Sequence, residues 1–249
     1  MPDGMVWTVF WVALLTDFAT GLGVIPLIWA RTLQPRWHGL GVAATGGMML
    51  SASLFALIGE GLQRGNLFDV IVGLLIGAAF FSVTAKLLAR LEWRLGELSA
   101  ADSRQGILVL VAMFVHSFPE GVAVGVGYAT GELQYGLLLA IAIAVHNIPE
   151  GLAVALPLRA RGVSIWMCFF YAILTSVPQP LAAVPSYLLV SVFKPLLPLG
   201  LGFAGGAMIY LVVSELLPES FERCGKAEAA WSFTLGLIGM LWFTGAIGL

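Results

Sequence analysis

Two six-residue motifs place ionisable side chains in the oiliest part of a 249-residue chain, HSFPEG at 116 to 121 and HNIPEG at 146 to 151. Residues i and i+4 share a helix face, so His116 with Glu120, and His146 with Glu150, each present an imidazole and a carboxylate to one side. Each pair can grip a metal ion. A nitrogen and oxygen donor set suits Zn²⁺ and other divalent metals such as Fe²⁺, Mn²⁺ or Cd²⁺, whereas a Ca²⁺ cage would be all oxygen. The only cysteines, Cys168 and Cys224, have neither the number nor the spacing of a thiolate site or disulfide framework, and read as free thiols.

A turn near Gly131 would fold the two motifs into a hairpin, with His116 and His146 each fifteen residues from it and hence at one depth. The antiparallel course then puts Glu120 and Glu150 on opposite sides of that level, each about 6 Å from its histidine along the axis. Four donors converge. Pro119 and Pro149 free the carbonyls four residues back, Val115 and Val145, so both helices are expected to break beside the histidines. Gly121 and Gly151 permit close helix approach. One buried histidine is more often structural than ligating. Two hexads at matched depth are another matter, because an unpaired charge at the bilayer centre costs at least about 2.5 to 3.5 kcal/mol and Lys86, the nearest Lys or Arg on span three, falls near a membrane edge.

The elements that position these residues follow from composition. With 59% hydrophobic and 10% charged residues and a mean hydropathy of +0.96, the chain is an all-α polytopic membrane protein. Its net charge of -2 offers nothing to a nucleic acid. About 20 apolar residues cross the hydrocarbon layer, and on that measure eight spans are expected: 7–29, 41–59, 67–89, 107–130, 135–158, 163–192, 199–217 and 229–249. They form one domain over 1–249. The first lacks a basic flank and a cleavage site and reads as a retained span, not a signal peptide. The sixth carries Pro178, Pro180 and Pro185, so it should be tilted and broken. Ten of the 12 basic residues fall on the side of the odd-numbered loops, against Arg64 and Lys194 on the other. By the positive-inside rule the odd loops are cytoplasmic and both termini external. ATGGMM at 44 to 49 resembles AGGAMI at 204 to 209, each leading to acidic residues, which suggests inverted three-helix repeats flanking a central pair.

At these residues the sequence resembles the ZIP (Zrt/Irt-like) family of divalent metal transporters, in particular its GufA-like branch. The resemblance runs through ATGLGVIPL (19 to 27), both hexads, SVPQPLAA (176 to 183) and GFAGGAMIYLVVSELLPES (202 to 220). It implies a 3+2+3 inverted-repeat bundle in the inner cell membrane and uptake of Zn²⁺ or a related ion into the cytosol. It also implies a principal metal site at His116, Glu120, His146 and Glu150. Ser117 and Asn147 fall where relatives can supply ligands to a second, adjacent metal, and Gln179 stands where many relatives have glutamate. With only two carboxylates to balance charge, one well-bound ion is expected. The loop at 92 to 104 has no histidine, so the cytoplasmic metal sensor of some relatives is not expected.

Asp17 in the first span and Glu215 near the end of the seventh are further pathway candidates. Met48, Met49 and Met208 read mostly as packing, Trp7, Trp29, Trp231 and Trp242 chiefly as interface anchors, and His38 as a solvated loop residue. No prosthetic group is expected. The partners are the metal ion and the lipid bilayer, with a homodimer left open. Rival readings are a metal-selective channel built from the same ligands and an intramembrane metal-dependent hydrolase. The hydrolase lacks the His-Glu-x-x-His helix that would supply its zinc ligands and base.

Overall fold

The computed structural model describes residues 2–29, 34–89, 116–160 and 162–248, all of it helix and short connection with no strand among the described residues. The expected residues 107–115, including Val115, the loop at 92 to 104 and Leu249 lie outside the described residues. In chain order the helices are α1 (Pro2–Leu22), α2 (Pro26–Trp29), α3 (Pro35–Ser51), α4 (Gly59–Arg64) and α5 (Leu67–Ala89). Then come α6 (residues 116–129), α7 (Leu133–Ala160), α8 (Ile165–Ser176), α9 (Pro178–Val192), α10 (Leu196–Leu211), α11 (Leu217–Cys224) and α12 (Lys226–Ile247). Among the described residues, seven continuous helical stretches are long and apolar enough to cross a membrane. The fourth expected span is represented by α6. Trp7, Trp29, Trp231 and Trp242 are all exposed on the outside of the bundle, as lipid-facing aromatic side chains would be.

Close glycine contacts fix how the spans pair. Thr16 and Thr20 of α1 meet Asn147 and Gly151 of α7, while Gly121 and Gly125 of α6 meet Gln179 and Ala183 of α9. Arg36, Leu40 and Ala44 of α3 meet Glu228, Ser232 and Gly236 of α12, while Val70 and Leu74 of α5 meet Gly202 and Gly206 of α10. Residue numbers rise together in all four pairs, so each pair is parallel. Spans two and three are antiparallel across the turn at Gly65 and Asn66. Span seven, parallel to three, therefore runs opposite to span two. Exchanging spans one, two and three with six, seven and eight, and four with five, maps the four pairs onto one another. This is the inverted repeat read from the sequence.

Two further features carry the same symmetry. A π-helical segment, Ala52–Ile58, follows α3, and another, Val212–Leu216, follows α10; their starts differ by 160 positions, the offset between ATGGMM and AGGAMI. The sixth span breaks at Val177, between α8 and α9, because Pro178 and Pro180 cannot donate to the preceding turn. The expected break at Pro149 does not occur: α7 is continuous from Leu133 to Ala160. One missing hydrogen bond in a 28-residue helix packed on α1, α3 and α8 is tolerated, and the irregular backbone lies instead in the π segments.

Candidate metal centre

The turn at 130–132 pivots on Gly131, whose φ of 90° suits a residue without Cβ. It returns α7 against α6 as the spacing requires. Glu120, His146 and Glu150 are buried there, and one donor atom from each lies within 4.8 Å of the others. His146 Nε2 is 3.2 Å from Glu120 Oε1. Zinc holds donors at about 2.0–2.2 Å, so the three need close by less than about 1 Å to coordinate one ion. Among the described residues His146 Nδ1 and Glu150 Oε2 have no hydrogen-bond partner, a costly arrangement for buried polar atoms unless an ion or water completes it.

Gln179 occupies the other side of Glu120. Its Nε2 donates to Glu120 Oε2, and its Oε1 accepts from the Thr16 hydroxyl. Asn147 Nδ2 lies 3.4 Å from the same Gln179 oxygen and 3.2 Å from the Thr16 carbonyl. One carboxylate oxygen thus faces the imidazole while the other is held by a neutral amide. A glutamate at 179 would set a second carboxylate against the first, a like-charge pair that a cation or a shared proton would have to offset; Gln179 donates a hydrogen bond there instead.

A narrow cavity of about 40 Å³ leads away from these residues. His116 and Glu150 line one end and His38, Glu219 and Arg223 the other, with Val42, Thr45, Met49, Ala153 and Leu216 between them. His116 thus lies in the wall of the same cavity as Glu150, its ring edge-on to Phe81 at 5.5 Å, and is not one of the three clustered donors. Ser117 is buried and absent from that wall. Asp17 is fully buried, and among the described residues neither of its carboxylate oxygens has a hydrogen-bond partner. Glu215 is exposed in the second π segment and does not line the cavity; Glu219, one turn on, does. The solvated loop expected for His38 is corrected. His38 sits in the first turn of α3 and is only 7% exposed, because the second span starts at Pro35 rather than near Gly41. Met49 also lines the cavity, while Met208 is in the core.

Residues 95–248 match the family model described as ZIP zinc transporter. The chain belongs to the ZIP family. Among relatives, the zinc transporter GufA of Myxococcus xanthus is 36% identical over 91% of this chain and 95% of its own length. The zinc transporter ZIPB of Bordetella bronchiseptica is 32% identical over 92% and 78%. A candidate zinc transporter of Arabidopsis thaliana is 40% identical over 94% of this chain, which spans only 38% of that relative. This ZIP chain sits among named transporters, not enzymes, and its apolar helices make it a multi-pass membrane protein.

Proposed function

We propose that this chain carries zinc across the inner cell membrane into the cytosol, with Glu120, His146 and Glu150 as the principal ligands and His116 beside them. The observation that supports it is a buried nitrogen and oxygen donor cluster at the centre of a bundle of membrane-spanning helices. Two carboxylates and neutral imidazole offset the charge of one divalent ion, which otherwise could not leave water for low dielectric. Asn147 and Gln179 orient this site through Glu120 and do not hold a second ion, and Ser117 contributes no ligand. The ten-to-two basic asymmetry supports both termini lying outside and the His38 end of the cavity facing the cytosol. The homologous zinc transporters support zinc as cargo over Fe²⁺, Mn²⁺ and Cd²⁺, which the same donors could also bind.

Proteoliposomes test this. Wild type should show saturable Zn²⁺ uptake, and Glu120→Ala and His146→Ala should each reduce it at least about 100-fold, the upper end of what losing a group that merely orients a ligand costs, while still inserting and eluting as folded protein. Wild-type rate and affinity in both variants would overturn the site. A linear, non-saturating flux in wild type would favour a channel.

A further inference from the structure

The far end of the cavity holds a histidine that the principal site does not use. His38 Nε2 lies 3.2 Å from Glu219 Oε1, and among the described residues this buried nitrogen has no well-aligned hydrogen bond. The same glutamate oxygen accepts from Arg223 Nε at 2.9 Å. Glu219 and Arg223 are each about a third exposed, with side-chain values of 39% and 34%, so this end reaches the surface while Glu150 and His116 remain enclosed. His38, Val42, Thr45 and Met49 recur at helical spacing along α3, and from 38 to 49 is eleven residues, or about 16 Å of axial rise.

We propose that His38 and Glu219 form a second, weaker binding site for a divalent transition metal at the mouth of this cavity, the site through which an ion leaving Glu150 and His116 passes. The role as an exit rests on the transport reading above; the binding does not. The donor set repeats the imidazole and carboxylate chemistry of the principal site, with the Met49 thioether between the two. Arg223 gives the mouth a different character. A fixed cation sharing the carboxylate oxygen competes with the metal and lowers its affinity, which suits a site an ion must leave. A purely structural His38 to Glu219 contact would pin α3 to α11 but would bind no metal.

Calorimetry with Zn²⁺ on purified protein separates these. A Glu120→Gln/His146→Ala double variant should still bind about one ion per chain, at least tenfold more weakly than wild type. Adding His38→Ala or Glu219→Gln to that background should abolish the residual binding, whereas adding Arg223→Gln should strengthen it several-fold. No residual binding in a double variant that elutes as folded protein, or residual binding that survives both additions, would overturn the proposal. Should a combined variant fail to fold, anomalous diffraction from wild-type crystals soaked in excess Zn²⁺ decides: a weaker second peak beside His38 supports the site, and none there refutes it. In proteoliposomes His38→Gln should lower the maximal rate about tenfold with little change in KM. If wild type moves no zinc, the transport reading fails while the binding arms still decide the site.

Discussion

At the scale of residues, the site is built around Glu120, whose two oxygens are committed differently. One faces His146 and the other is held by Gln179. Replacing the amide by a carboxylate, Gln179→Glu, adds a negative charge beside Glu120 and removes the hydrogen bond that Glu120 Oε2 accepts, while Thr16 and Asn147 can still donate only to the other oxygen of residue 179. The variant should therefore bind zinc more tightly at the principal site, or hold two ions there where wild type holds one. Its maximal rate should be unchanged or lower, since a deeper well slows release. Calorimetry paired with initial-rate uptake checks both halves, and a Gln179→Glu protein with wild-type affinity and stoichiometry would show that this amide does not govern charge at the site.

At the scale of elements, the helices are brought close enough to share a site by residues that lack a side chain. A Cβ added at Gly151 would lie 1.7 Å from the Thr20 carbonyl oxygen, and one at Gly121 would lie 2.3 Å from that of Gln179. Both obstacles are backbone. Gly151→Ala and Gly121→Ala should each push apart a helix pair that carries the site, at a cost of about 1–3 kcal/mol, and should weaken zinc binding too. Gly239→Ala on the outer helix α12 meets nothing within 4 Å and should leave thermal stability equal or raised, as alanine in a helix interior generally does. Equal melting of all three variants in detergent would contradict this packing. The π segments complete the picture. Each inserts extra backbone into its helix; Leu216 of the second lines the cavity, and Tyr135 donates to the Ala56 carbonyl inside the first at 2.7 Å, giving that carbonyl a partner.

At the scale of the whole molecule, the all-helical membrane fold and the repeat were legible because they rest on strong, additive signals. Twenty-residue apolar runs, lysine and arginine bias, and a recurring glycine pattern each reflect what a bilayer demands of a chain. The donors were legible because His and Glu in hydrocarbon are costly. Three of the four expected ligands converge, and His116 stands apart in the cavity wall. Less visible was what depends on length beyond the hydrophobic core or on helix phase. His38 was read as loop because hydropathy marks where oil begins, whereas its helix starts at Pro35, in the interface. The π segments have no proline to announce them, and Pro149, which does announce a break, is spanned by continuous helix. Topology is open to a direct check. Cys224 is half-buried and Cys168 buried, so a membrane-impermeant maleimide should label Cys224 only after cells are permeabilised, and an exposed Glu132→Cys should react in intact cells. Labelling of Cys224 in intact cells would reverse the orientation. The decisive observation is anomalous diffraction at the zinc edge from wild-type protein crystallised with stoichiometric Zn²⁺: the structure calls for one strong peak per chain, within coordination distance of Glu120, His146 and Glu150, and a peak elsewhere with that cluster vacant would contradict it.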